Sequence, residues 1–240
     1  MKEPAKGVKY SPQQVDVKQM FGDIAPRYDF LNHFLSAGMD KRWRKKTINM
    51  LTPYQPKQIL DIATGTADLA IEAMKLNPDM ITGIDITEEM LIRAAVKIEK
   101  KNLKSKITLR QARSEELPFT DASFDVVMVA FGVRNFFYLK KGLDEMFRVL
   151  KKGGVVAILE FSVPSAFPIK QLYKFYFRRI LPVMGKIVSK SKTAYTYLPE
   201  TVLSFPQGRE FTALLEKTGF VNTRFTRLSM GICSIYIAEK

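Results

Sequence analysis

The chain is poor in the residues that most often announce a metal centre or a covalent framework. A single cysteine, Cys233, leaves no internal disulfide and no cysteine-cluster zinc site. A single histidine, His33, rules out a multi-histidine metal centre, so no metal is expected. A Ser-His-Asp hydrolase would need that one imidazole, and no G-x-S-x-G elbow is present. No uninterrupted apolar stretch approaches ~18 residues, so no membrane span is expected. The opening segment MKEPAKGVKYSPQQVDVKQM lacks an apolar h-region, which argues against a signal peptide. The expected address is the cytoplasm, where Cys233 would stay reduced.

What remains is an ordinary globular mix with an unusual charge. The 240 residues are 46% hydrophobic and 26% charged, which excludes disorder, collagen and coiled coil for the whole chain. A chain of this length can bury a full core. The formal net charge is +14, and it is unevenly spread. Residues 1–60 carry a net +6, residues 61–165 are neutral, and residues 166–240 carry +8. The middle therefore has the balance of a soluble enzyme core, and the flanks hold the excess.

The densest basic stretch, PIKQLYKFYFRRILPVMGKIVSKSK at 168–192, has seven Lys/Arg and no acid. Lys170, Lys174 and Arg178 recur every four residues and so share one helix face. Aromatic and aliphatic residues lie between them. This composition suits an interfacial helix on an anionic bilayer. It also suits an RNA groove or a core helix with a solvated basic edge.

Periodicity predicts helices over 14–51, where Phe21, Ile24, Tyr28, Leu31, Leu35, Trp43 and Ile48 have roughly helical spacing. Apolar runs then alternate with helical patterns. Strands are expected at 58–63, 80–86, 107–110, 124–131 and 154–161, with helices at 67–75, 88–101 and 139–150. A helical, basic insertion at 164–206 precedes a last helix at 210–218 and strands at 220–225 and 232–238. Continuous apolar strands alternating with helices predict an α/β fold, a mostly parallel seven-stranded sheet with helices on both faces. The expected organisation is one domain over 1–240: a helical cap at 14–51, a core at 58–163, the insertion, and a closing segment at 207–240.

The chemistry-bearing motif is DIATGTAD at 61–68, which follows the first strand and opens a helix. A glycine turn there lets a ligand approach the backbone. Asp85 ends the second strand, where an acid can hold both ribose hydroxyls of a nucleoside. The motif is neither G-x-G-x-x-G nor a Walker loop, and it offers few amides for a pyrophosphate. It suits a nucleoside without phosphates, such as S-adenosylmethionine. Structural roles for the two acids are the alternative: Asp85 at a helix N-cap, Asp61 tying down the turn.

Longer segments add to this. YDFLNHFLSAGMDKRW at 28–43 and RVLKKGGVVAILEFS at 148–162 resemble the UbiE/MenG family of quinone-biosynthesis C-methyltransferases. LPF at 117–119, FGVRN at 131–135, LPVMG at 181–185 and YTYLPE at 195–200 fit the same family. The resemblance runs from about Val17 to the end. It implies a Rossmann-like class I methyltransferase using S-adenosylmethionine as donor. Asp61, Gly65 and Thr66 would shape its methionine end, Asp85 would hold the ribose, and Arg113 and Ser114 would lie against the adenine. Arg134 would stabilise a developing phenolate or orient a water, unless it serves as a structural cap or ion pair. Tyr28, Asp29, Asn32 and His33 would lie in the cap over the acceptor, where His33 has the one unperturbed pKa suited to a base near neutrality.

The acceptor implied is a membrane-embedded prenyl quinol, either a demethylated naphthoquinol or a methoxy-benzoquinol. Segment 168–192 would then contact anionic lipid on the inner face of the membrane, and a homodimer would be in keeping. Several positions depart from the family pattern. Leu31 stands where methionine is common, Asp40 where histidine is common, Ala67 in place of a second glycine, Lys152 in place of proline, and Arg113-Ser114 in place of an Asn/Asp-Ala pair. An RNA-binding protein or RNA methyltransferase is the reading from another class. The excess charge avoids the core and no RNA-binding signature is visible, so no nucleic acid is expected.

Overall fold

The computed structural model describes residues 15–29, 33, 36, 38–175 and 192–240. Asp16 caps the first helix, α1 (Val17–Ile24), by accepting from the Gln19 N–H at 3.0 Å. Helix α2 (Met39–Leu51) follows, and Thr52–Tyr54 ends it in a 3-10 turn carrying Pro53. The core then alternates: β1 (Gln58–Ile62), α3 (Asp68–Ala73), β2 (Met80–Asp85), α4 (Glu88–Lys100), β3 (Ile107–Gln111), β4 (Phe124–Ala130), α5 (Leu139–Val149) and β5 (Leu150–Phe161). Beyond it come α6 (Ile169–Phe175), α7 (Lys192–Ser204), α8 (Arg209–Thr218), β6 (Val221–Leu228) and β7 (Cys233–Glu239). The segment between α6 and α7, with Arg178 and Arg179 of the basic stretch, lies outside the described residues.

All seven strands form one sheet in the order β3-β2-β1-β4-β5-β7-β6. The first five are parallel, and β7 runs antiparallel between β5 and β6. Period-two alternation sends successive residues to opposite faces. Ile59, Val126 and Met128 meet Trp43, Ile48 and Leu51 of α2, together with α3 and α4, on one face. Leu60, Val127 and Val129 meet Leu143 and Met146 of α5 and Phe211 and Leu215 of α8 on the other. Each such side chain contributes about 1.5–3 kcal/mol by leaving water.

Two strand boundaries differ by three residues or more from the expected ones: β6 runs on to Leu228 instead of ending at 225, and β5 begins early. Strand β5 starts at Leu150 rather than Gly154, because Phe124 pairs with Leu150 and Val126 with Val155. The extra residues on β5 form a bulge, with Gly153 at φ 75°.

Between β1 and β4 the chain order reverses direction across the sheet. There the loops after the two strands diverge to opposite faces and leave a crevice at the C-terminal edge. Asp61 and Asp85 sit at that edge, next to or at the ends of β1 and β2.

Candidate active site

The turn after β1 is built for close approach. Ala63, Gly65 and Ala67 all have positive φ, at 53°, 56° and 66°. For the two alanines this conformation costs of order 1 kcal/mol each, so packing must hold them there. Ala67 is fully buried, and it adopts the left-handed conformation that the second glycine of the motif would take freely. The turn is tied to β2 by the Thr64 N–H on the Ile84 carbonyl at 2.9 Å and the Gly65 N–H on Asp85 Oδ2 at 2.8 Å.

The crevice holds a pocket of about 440 Å³, in the range of small-molecule sites. Asp85, Arg113 and Ser114 line one side, and Phe131, Gly132 and Asn135 the other. Lys18, Phe21 and Tyr28 of the N-terminal cap close it from above. A narrow recess of about 20 Å³, room for one water-sized group, opens beside Gly65 and is lined by Asp61, Arg44 and Thr66. The two cavities share Tyr28, Ala63, Gly65 and Ala130.

Asp61 and Asp85 both lie in low dielectric. Burial pushes the Asp61 carboxyl up to about 7, against the Thr64 hydroxyl, which donates to Oδ2 at 2.6 Å. Its Oδ1 is buried with no hydrogen-bond partner among the described residues. Asp61 lines the water-sized recess, and a buried carboxyl with one unpaired oxygen fits a ligand ammonium, which would supply both the missing donor and the charge that favours ionisation. Asp85 is raised by burial and pulled back by the N–H groups of Thr87 and Gly65. Each of its oxygens keeps a lone pair for a ligand hydroxyl. A nucleoside with an amino-acid arm therefore fits the residues present.

The expected acceptor-side residues are dispersed. Of Tyr28, Asp29, His33 and Arg134, only Tyr28 lines the large pocket. Asn32 lies outside the described residues. Asp29 pairs with Lys97 at 2.8 Å and accepts from the Thr66 hydroxyl at 2.6 Å, so Thr66 also turns its side chain toward the cap. His33 meets Asp40 Oδ2 through Nδ1 at 2.8 Å. Asp40, where the family commonly has histidine, serves three partners at once: His33, the Ser36 hydroxyl and Arg44 at 2.5 Å.

Arg134 points away from the pocket. Its side chain is 7% exposed and its Nη1 donates to Glu160, itself fully buried, at 2.6 Å and to the Phe131 carbonyl at 2.7 Å. The structural alternative for Arg134 thus describes its contacts, and the residue it needs, Glu160, hides in the apolar run of β5. Neighbouring Asn135 lines the pocket instead, held by the Tyr197 hydroxyl of α7 at 3.0 Å. Sequence reasoning placed Asn135 in the loop without singling it out. An aromatic cluster backs this edge: Phe131 and Phe161 have centroids 4.5 Å apart, and Trp43 lies 6.2 Å from each.

An open sheet of this order, with a glycine turn after β1 and an acid closing β2, defines a class I methyltransferase. A Thermotoga maritima SAM-dependent methyltransferase of known structure shares the fold at a TM-score of 0.64 and 18% identity, over 92% of this chain and 99% of that one. The particular family is set by sequence: this chain belongs to the ubiE/COQ5 methyltransferase family, whose model matches residues 8–240. It is 47% identical to the demethylmenaquinone methyltransferase of Bacteroides fragilis, over 93% of this chain and 92% of that protein. It is 44% identical to the ubiquinone/menaquinone biosynthesis C-methyltransferase UbiE of Geotalea daltonii, over 93% and 96%.

Proposed function

We propose that the chain methylates a ring carbon of demethylmenaquinol, with S-adenosylmethionine as donor, to give menaquinol. The observation that carries the donor is the unpartnered Asp61 Oδ1 beside the glycine turn, one recess away from Asp85. The identity to the Bacteroides fragilis enzyme supports the acceptor. When bound, the donor supplies a methyl group on a cationic sulfur. Asp61 takes the ammonium, Asp85 the ribose hydroxyls, and Arg113 and Ser114 border the base. Holding both reactants in line is most of what the site must do.

The acceptor carbon becomes nucleophilic as the adjacent phenol loses its proton. Phe131 at the pocket edge, backed by Phe161 and Trp43, excludes water there. Arg134 keeps the 131–135 turn in place through Phe131 and Glu160 and so presents Asn135 to the acceptor. His33 is kept as the base in this reading; it lines neither cavity and its Nδ1 meets Asp40 at 2.8 Å, so the role requires the cap to carry its ring to the acceptor. Tyr28 and Asp29 belong to the lid over the ring.

The acceptor's prenyl tail needs a lipid phase. No helix among the described residues is long and apolar enough to cross a membrane. We take the basic segment 168–192 as a peripheral contact with anionic lipid on the cytoplasmic face. Its described part exposes Leu172 and Phe175 beside Lys170, with Phe167 just before it. Co-sedimentation with anionic liposomes should be lost when Lys170, Lys174, Arg178 and Arg179 are all changed to Glu, and persistence would refute the contact.

The Geotalea relative is named for ubiquinone as well as menaquinone biosynthesis, which leaves a methoxy polyprenyl benzoquinol as the second reading of the acceptor. One assay decides: labelled S-adenosylmethionine offered with each reduced quinol in detergent. Label in the naphthoquinol product supports the reading, label in the benzoquinol alone replaces the ring, and label in neither overturns the acceptor.

A further inference from the structure

Helix α4 buries Met90, Ala94 and Ile98 on its inner face. Lys97 stands beside this stripe, its side chain 25% exposed. Its ammonium has three N–H donors, and three oxygens surround it: Asp29 Oδ2 at 2.8 Å, Asp68 Oδ1 at 2.6 Å and Thr66 Oγ1 at 3.0 Å. Those oxygens come from the N-terminal cap, the first turn of α3 and the glycine turn. The Thr66 hydroxyl in turn donates a hydrogen bond to Asp29 Oδ1 at 2.6 Å, which closes a ring of contacts. A surface lysine that merely balances charge meets one carboxylate in a shifting geometry. Three fixed acceptors from three segments describe a fastening.

The ring is continued on the other side. Asp68 also faces Arg44 at 3.7 Å, and Arg44 holds Asp40, the partner of His33. Two points of the cap are thereby tied to α3, Asp29 through Lys97 and Arg44 directly to Asp68. What this positions is Tyr28, the residue before Asp29, which lines both cavities. A Cβ placed on Gly65 would lie 3.7 Å from Tyr28 Cε1, so the ring rests directly on the donor turn. Burial opposes the charge on Asp29, yet Lys97 and Thr66 hold its carboxyl below the usual range.

We infer that Lys97 is a positioning residue that latches the N-terminal cap to the donor turn, so that Tyr28 closes the S-adenosylmethionine pocket. This rests on the donor reading above. The test uses the full chain as wild type, Lys97→Met, Lys97→Arg and Asp29→Asn. Donor affinity is measured by calorimetry, and cap opening by the rate of tryptic cleavage after Lys18 and Arg27, with and without donor. Losing a charge-assisted contact of this kind should weaken donor binding about tenfold in Lys97→Met and Asp29→Asn. Cleavage should speed up even without donor, and Lys97→Arg should recover most of both. The latch is refuted if Lys97→Met binds within about twofold of wild type and is cleaved at the wild-type rate. It is equally refuted if Lys97→Arg is no better than Lys97→Met, since the loss would then reflect packing. Wild-type protein that binds no donor would overturn the donor reading instead, and the cleavage rates without donor would still report on the latch.

Discussion

Gly132→Ala is a sharp test of how the crevice is closed. Gly132 has φ −112° and ψ −32°, a conformation open to alanine, so the backbone alone favours the change by about 0.4–1 kcal/mol. Space decides otherwise. A Cβ here would sit 2.5 Å from Ala63 Cβ and 3.2 Å from Val129 Cγ1. Carbon atoms prefer ~3.5–4.0 Å, so the first contact overlaps by about 1 Å. Neither methyl is the tip of a flexible chain. Ala63 cannot retreat cheaply, because it already holds φ 53° and leads into the turn bonded to Asp85. Overpacking of this kind costs ~1–3 kcal/mol and outweighs the backbone gain. Net destabilisation of about 1–2 kcal/mol lowers Tm by roughly 2–8 °C for a chain of this size. Ala63 and Gly132 are both pocket walls, so donor affinity by calorimetry should fall about tenfold, as expected when a site shifts by a fraction of an ångström. Gly153→Ala is the control: φ is 75° there and no atom lies within 4 Å, so stability falls from backbone strain while donor affinity holds. A Gly132→Ala protein with unchanged Tm and unchanged affinity would refute the reasoning.

Other outcomes follow from the buried acids. Burial raises Asp61 to about 7, so its contribution to stability is full below the ordinary value of 3.8 and is lost as pH rises through 7. Scanning calorimetry should show that decline in the unliganded wild type and its disappearance in Asp61→Asn. If a donor ammonium settles on Asp61, binding at pH 7 should release about half a proton, read from titrations in two buffers of different ionisation heat. Equal release from Asp61→Asn would contradict the assignment. Asp125 takes the N–H groups of Lys57 and Gln58 and the Lys151 ammonium at 2.7–2.9 Å, and despite burial these hold its carboxyl below the usual range. Asp125→Ala should cost ~1–2 kcal/mol at neutral pH without altering turnover. The gap from wild type should narrow as pH drops below 3.8, because a depressed carboxyl gives its stability above the ordinary pKa and loses it on acidification.

The sheet was readable in advance because the runs at β1, β2, β4 and β5 are apolar on both faces and each is punctuated by turn residues. Chain order alone then put Asp61 and Asp85 at one edge. Contacts between distant segments were not readable. Lys97 lies on an ordinary amphipathic helix, and its partners Asp29, Thr66 and Asp68 are about thirty residues or more away. Glu160 interrupts an apolar strand, and an acid there makes sense only once Arg134 is seen to reach it. The bulge in β5 escaped because Lys151 and Lys152 look like the solvated end of a helix, whereas in the fold Lys151 folds back on Asp125.

The sheet order also bears on how the chain is made. Strand β6 has β7 as its sheet neighbour, and β7 completes the hydrogen bonding of β5. Yet β7 leaves the ribosome after both. A nascent chain stopped short of Cys233 would hold the whole donor turn, Asp61 and Asp85 included, while β5 presented a bare edge and Ile235 and Ile237 were missing from the core over α2. The donor half can therefore take shape early during synthesis, while the molecule as a whole stays open to edge-to-edge association until its final strand slides into the gap.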